Sequence, residues 1–256
     1  MNKQGDFIWY ELLTTDADAA EKFYRELVGW TIDNPDQDGI DYRILSAPDG
    51  PVGGLMQLSP EMLSGGAGPG WLGYIAVMDV DATVSSIQAA GGGVLMPPMD
   101  MEGVGRMAFV HDPQGNPFYV MRGASGETSR AFDREAVGHV AWNELVTTDQ
   151  KVALDFYTGH FGWSAGDAMP INESSEYRFV HQGDVMLGAM MNRTSDSGAP
   201  GWIVYWRVPD AGAAHLKAAE LGATLDSEPM EVPGGDHVFT GTDPQGARFA
   251  ICGGRG

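Results

Sequence analysis

The chain has 256 residues, 43% hydrophobic and 20% charged, with 35 acidic against 15 basic side chains and a formal charge of -20. That length supports one large domain or two modest ones with their own cores, and the composition excludes a disordered chain. The acidic balance excludes nucleic acid and anionic membrane surfaces as partners, because every phosphate contact needs a Lys or Arg. One cysteine, Cys252, excludes an internal disulfide and a thiolate metal cluster. No apolar stretch is long enough to span a bilayer, and Met1 to Asp6 lead into a strand-like segment without the apolar core of a signal peptide, so a cytoplasmic protein is expected.

Phe7 to Leu13 is rich in apolar and aromatic residues and predicts a strand. Thr15 and Asp16 then offer a cap for a helix with Ala20, Phe23, Tyr24 and Leu27 at helical spacing, which Gly29 ends. Apolar runs over Tyr42 to Ser46 and Val52 to Leu58 precede a glycine-rich loop, Ser64 to Gly70. A second module opens with a strand over Trp71 to Val77 and a helix from about Asp81 to Ala90. It closes with strands through Met107 to Val110 and Pro117 to Met121. Asp112-Pro113-Gln114-Gly115 makes the turn between the last two, with Pro presetting φ and Gly accepting a positive one.

The whole pattern then repeats. A shift of 133 positions carries Trp9 to Trp142, Glu11 to Glu144, Asp16 to Asp149, Phe23-Tyr24 to Phe156-Tyr157 and Gly29-Trp30 to Gly162-Trp163. A shift of 131 carries Gly70-Trp71 to Gly201-Trp202, Tyr74 to Tyr205, Gly91 to Gly222 and the first Asp-Pro-Gln-Gly to Asp243-Pro244-Gln245-Gly246. The expected domains are 1–122 and 137–256, with the polar, small-residue stretch 123–136 as linker.

The opening strand followed by Thr-Thr-Asp, the Phe-Tyr and Gly-Trp pairs, the glycine closing the second helix, and Asp-Pro-Gln-Gly before the last strand together resemble the vicinal oxygen chelate superfamily. That superfamily holds glyoxalase I (lactoylglutathione lyase), extradiol dioxygenases and bleomycin-resistance proteins. The resemblance covers nearly the whole chain. It implies an α+β fold of four βαβββ modules, forming two curved eight-stranded mixed sheets with helices outside, each sheet closing around a cavity.

The resemblance also implies one divalent ion held by His, Gln or Glu on the first and last strands of the modules. The matching positions carry Trp9 and Trp142, Leu72 and Ile203, and Tyr119 and Ala250, while Gly54 to Leu58 and Gly188 to Asn192 offer no Glu or His. An indole nitrogen is only a donor. The usual metal site is therefore not expected, no cofactor is expected, and metal-dependent glyoxalase I or ring-cleaving activity is not expected either.

Strand side chains alternate faces, so Glu11 shares a face with Trp9 and Glu144 with Trp142. A carboxylate beside an indole is partly desolvated, which suits it to general acid or base work, so Glu11 and Glu144 are the candidate catalytic residues; the alternative is that each only fixes its strand through hydrogen bonds. Trp9, Trp142, Tyr42, Tyr177, Tyr74, Tyr205 and Tyr119 are candidate walls for a planar ligand, or plain core. Arg106 and His237, each six residues before the Asp of the turn motif, and Arg207 are candidate contacts for an anionic ligand, Arg207 alternatively making a surface ion pair. The other histidines show no ligand spacing. Met56, Met78, Met96, Met99, Met101, Met107 and Met121 fill gaps in the core or add to an adaptable pocket.

Two functions stay open. One is a lyase- or isomerase-type enzyme that uses a cavity Glu without a metal on a small organic molecule. The other is a sequestering protein of the bleomycin-resistance type that captures a planar ligand. A non-standard metal set, Glu11 with a His or Tyr, is a third reading. In each, the partner is a small molecule and the chain is a monomer or homodimer.

Overall fold

The computed structural model describes residues 1–34, 41–172, 175–194 and 197–255. The first repeat runs through β1 (Phe7–Thr14), α1 (Ala17–Val28), β2 (Thr31–Asp33), β3 (Tyr42–Ala47), β4 (Gly50–Gln57) and a short α2 (Pro60–Ser64). It continues with β5 (Gly70–Ala76), α3 (Val80–Ala89), β6 (Gly93–Met101), β7 (Gly105–His111) and β8 (Pro117–Gly123). The second contains β9 (Val140–Thr147), α4 (Gln150–Phe161), β10 (Ser164–Asn172), β11 (Ser175–Gln182) and β12 (Val185–Asn192). It ends with β13 (Gly201–Asp210), α5 (Ala211–Glu220), β14 (Thr224–Leu225), β15 (Met230–Glu231), β16 (His237–Thr242) and β17 (Arg248–Gly254).

This is an α+β fold of four βαβββ modules, with two mixed sheets among the described residues. One sheet has the expected eight strands and the other has nine. The extra one arises because Asp226 to Pro229 interrupts the last module's edge, leaving β14 and β15 as two short partners of β16. No described helix is long and apolar enough to cross a membrane.

Local chemistry sets the elements. The four long helices each begin on an aspartate cap, Asp16, Asp79, Asp149 and Asp210, whose carboxylate accepts from a backbone N–H of the first turn. α1 and α4 each stop at a left-handed glycine, Gly29 and Gly162. β1 is buried along nearly its whole length, as expected for a strand in parallel pairing with β4, whereas β3 alternates.

Contacts divide the chain into two compact units, and each repeat contributes to both. Unit one is Met1–Ile8, Gly73–Ser129 and Trp142–Trp202; unit two is Trp9–Leu72, Arg130–Ala141 and Ile203–Gly256. In unit one, β5 pairs in parallel with β8, β8 antiparallel with β7 and β7 with β6, while β9 pairs in parallel with β12, followed by β11 and β10. In unit two the corresponding rows are β1, β4, β3, β2 and β13, β17, β16.

Reciprocal hydrogen bonds between the repeats stitch each unit. In unit two the Tyr24 hydroxyl of α1 donates to Asp243 Oδ2 in the second repeat's turn at 3.0 Å and accepts from Trp71 Nε1 at 3.1 Å. In unit one the Tyr157 hydroxyl of α4 donates to Asp112 Oδ2 at 3.3 Å and accepts from Trp202 Nε1 at 3.0 Å. Trp30 Nε1 donates to the Gly138 carbonyl at 2.8 Å, and Trp163 Nε1 to the Gly5 carbonyl at 2.9 Å. Around these bonds lie Tyr10, Trp206, Trp30, Trp71 and Phe249 in one unit, and Phe7, Trp163, Trp202, Phe161 and Phe118 in the other. Burial pushes the Tyr24 and Tyr157 hydroxyls well above their ordinary range and raises the Asp243 carboxyl.

Arg43 projects from β3 onto α1, its side chain only 7% exposed. Its guanidinium donates to Asp41 at 2.8 and 2.7 Å, Asp18 at 2.6 Å, Glu21 at 2.7 Å and the Ala17 carbonyl at 3.3 Å. The hydrogen bonds from Arg43 hold Asp41 below its ordinary carboxylate value. A carboxylate depressed in the folded state contributes stability above its unfolded pKa, about 3.9, and loses it as pH falls through the folded value. Arg43→Met should therefore be destabilising at pH 7, with the gap to wild type narrowing below about pH 4, measured by urea unfolding at both pH values.

Candidate functional site

The ion pairs of Arg43 place α1 on one side of its row of strands, so Tyr42, Glu11 and Trp9 lie on the other side. Likewise Gln150 of α4 donates to the Met190 and Glu176 carbonyls. Leu145 and Met190, register partners, are fully buried, which leaves Trp142, Glu144, Tyr177 and Phe179 on the opposite face.

In unit one this face forms a connected wall. Trp142 Nε1 donates to Tyr177 Oη at 2.8 Å, and the Tyr177 hydroxyl donates to Glu144 Oε2 at 2.6 Å. The indole and phenol rings are parallel within 6°, with centroids 6.5 Å apart. An indole N–H lies in its ring plane, so the phenol oxygen sits close to that plane and the two rings make one nearly continuous flat surface. Phe179 stands across both, at 84° to Trp142 and 85° to Tyr177, with centroids 5.9 and 6.0 Å away. The result is a floor two rings wide, a perpendicular rail, and a half-buried carboxylate at the floor's edge.

Unit two repeats part of this. Trp9 Nε1 donates to Tyr42 Oη at 2.8 Å, and Glu11, two residues on, is 3% exposed. Ile44 takes the place of Phe179, since it faces Gly54 as Phe179 faces Ala189.

The remaining candidates stand on other strands. In unit one Tyr74 stacks on Tyr119 at 4.2 Å and Tyr119 on Phe109 at 4.5 Å, with Met107 and Met121 as register partners on the same face. Arg106 is on the other face of that row, held by Asp81 of α3 at 2.7 and 2.8 Å and by Asp100 at 3.0 Å. A groove of about 490 Å³ beside it, lined by Asp100, Glu102, Arg106 and Arg122, contains no aromatic ring. In unit two Arg207 pairs with both oxygens of Asp236, at 3.2 and 2.5 Å, on the same face as Tyr205. His237 shares the α5 side of β16 with Phe239, whose ring meets His215 of that helix at 5.1 Å. Cys252, facing Arg207 in register, is buried and its thiol is pushed up to about 12 by that burial.

Sequence reasoning passed over Phe179, Phe109 and Ala189. The signal for Phe179 was available, since it lies two residues beyond Tyr177 and must share its face.

The donor set does not fit a divalent ion. Trp9 and Trp142 present N–H donors already given to tyrosines, Leu72 and Ile203 are buried apolar side chains, and Tyr119 lies between two rings. Among the described residues no group of three His, Cys, Asp or Glu stands close enough to hold a metal ion.

The fold and these repeated faces define the class. The chain belongs to the Glyoxalase/Bleomycin resistance protein/Dioxygenase superfamily, whose family model matches residues 7–120 and again 136–251. Among individual relatives, it is 35% identical over 250 residues to CFP32 of Mycobacterium bovis, a proposed glyoxylase by name, covering 97% of this chain and 95% of that protein. It is 32% identical over 256 residues to the anthracycline biosynthesis protein DauV of Streptomyces sp. strain C5, covering 95% of this chain and 91% of that one. An extradiol ring-cleaving dioxygenase from B. fuscum matches in fold with a TM-score of 0.69 at 15% identity, covering 99% of this chain and 74% of that one.

Proposed function

We propose that the chain binds a small, planar organic molecule on the Trp142, Tyr177 and Phe179 wall and that Glu144 moves a proton on it, an isomerase- or lyase-type step that uses no metal ligand set. The observation carrying this reading is the flat indole and phenol floor, hydrogen-bonded at its edge to Glu144 and railed by Phe179. Aromatic faces set flat side by side favour fused-ring ligands, which gain area on the floor and an edge contact on the rail. The likeness to DauV, a protein named for anthracycline biosynthesis, supports the same ligand class, since anthracyclines are fused-ring compounds.

Each group has a task. Trp142 holds the Tyr177 oxygen, and Tyr177 in turn fixes the Glu144 carboxylate, so the base is oriented before a ligand arrives. A proton taken by Glu144 from a carbon next to a ligand carbonyl and returned to a neighbouring atom leaves the balance unchanged. A second reading, capture without chemistry, is favoured by the 2.6 Å bond from Tyr177, which occupies a carboxylate oxygen that a proton transfer would use.

Quinizarin, a planar dihydroxyanthraquinone, is a suitable binding probe, followed by tryptophan fluorescence, and α-tetralone, a fused-ring ketone with C–H bonds next to its carbonyl, reports proton transfer as deuterium uptake from heavy water read by mass spectrometry. Trp142→Ala should weaken binding about tenfold or more, and Glu144→Gln should keep binding within about threefold. Deuterium uptake that stops in Glu144→Gln supports proton transfer, and unlabelled ketone from both proteins supports capture. Binding that ignores Trp142→Ala overturns the site.

A further inference from the structure

The two tyrosines that close the walls sit at different heights above their strands, and a single residue accounts for it. A Cβ added at Gly54 would lie 2.1 Å from Tyr42 Oη, 2.3 Å from its Cζ and 2.9 Å from its Cε1. The phenol of Tyr42 therefore lies down on β4, in the space that a side chain at position 54 would fill. Carbon and oxygen atoms that are not bonded do not approach so closely. In the second repeat the register partner of Glu144 is Ala189, as Gly54 is of Glu11. Its methyl group fills that space, so Tyr177 cannot lie down. It is raised to where its hydroxyl meets Glu144 at 2.6 Å and its ring continues the plane of Trp142.

Two further differences run the same way. Glu11 is 3% exposed, whereas Glu144 is half-buried, and the rail residue is Ile44 in the first repeat but Phe179 in the second. The first repeat's phenol thus rests on its own strand beside a buried carboxylate, and the second's meets a half-buried one, while the indole and phenol of both walls are themselves half-buried.

We infer that position 54/189 determines which wall accepts a ligand: Ala189 props Tyr177 into an open floor for one planar hydroxylated aromatic molecule per chain, while Gly54 lets Tyr42 fold down and close the first wall. This rests on the reading that the Trp142 wall binds such a ligand. It adds the stoichiometry and the residue that sets specificity.

The test is titration of the full-length chain with quinizarin by calorimetry and fluorescence. Wild type should take one equivalent. Ala189→Gly should weaken binding about tenfold, because Tyr177 gains the room to leave Glu144, while Ala189→Ser, which keeps the Cβ, should bind as wild type does. That rescue separates a specific role from a general loss of strand stability, and thermal melts of all variants confirm folding. Gly54→Ala should lift Tyr42 and add a second equivalent that is lost again on Trp9→Ala. Two equivalents in wild type, or an Ala189→Gly variant with wild-type affinity, overturn the inference. If binding is instead indifferent to Trp142→Ala, the underlying ligand site has failed, a result separable from an Ala189 effect that is missing while the Trp142 effect is present.

Discussion

Asp112→Ala is expected to lower the melting temperature by roughly 10 °C, the largest single-residue effect foreseen for this chain. Asp112 is fully buried in the turn between β7 and β8. Its Oδ1 accepts from the backbone N–H groups of Gln114 and Asn116, both at 2.9 Å. Its Oδ2 accepts from Asn116 Nδ2 at 2.7 Å and the Tyr157 hydroxyl at 3.3 Å. Alanine removes all four acceptor contacts and strands buried donors, each costing about 1–3 kcal/mol, so a total of about 3–5 kcal/mol is reasonable after relaxation. Asp112→Asn should fall between, since its carbonyl oxygen still serves the two backbone donors while its amide faces Asn116 and Tyr157 with the wrong polarity. Differential scanning calorimetry of the three proteins checks the order; an alanine variant melting within a degree or two of wild type would show the turn is held by its backbone alone.

The second large effect separates two equivalent glycines. Gly5 and Gly138 both adopt left-handed backbone, with φ of 88° and 85°, and both receive an indole N–H on their carbonyl. A Cβ at Gly5 would fall 2.3 Å from the Phe161 carbonyl oxygen and 2.8 Å from Trp163 Nε1. At Gly138 the nearest atom, Ala47 Cβ, is 3.1 Å away. Either alanine incurs left-handed strain of about 1–2 kcal/mol, but only at Gly5 must backbone also move. Gly5→Ala should thus cost about 3 kcal/mol or more and Gly138→Ala about 1–2, compared through urea unfolding midpoints. Equal costs would mean that the segment around Gly5 shifts freely.

The modular fold was legible because the duplication writes each signal twice. Asp16 and Gly29 bracket α1 as capping chemistry requires, and Asp149 and Gly162 repeat it for α4. β6 escaped notice because Pro97 and Pro98 argue against a strand. The chain tolerates them at an edge, with irregular register on either side. The stitching between repeats was not legible either, since nothing in the Phe-Tyr pair or the turn motif says that Tyr24 will meet Asp243 of the other copy.

Within the candidate site, alternation placed Trp142 and Glu144 on one face, but the tyrosine joining them comes from β11, and its height depends on Ala189 from β12. Counting back from the turn motif locates Arg106 and His237 along their strands without fixing which face carries them. One is held by Asp81 of α3 and the other lies on the α5 side.

The reciprocal tyrosine-to-aspartate and indole-to-carbonyl bonds bear on how such a duplicated gene can change. A substitution at Tyr24 or Asp243 is felt in a core that both copies share, so its cost depends on a partner in the other copy. Positions 44 and 54, with their counterparts 179 and 189, belong to faces outside that interlock. A substitution there leaves the shared cores untouched, so one copy's face can change while its twin keeps its own.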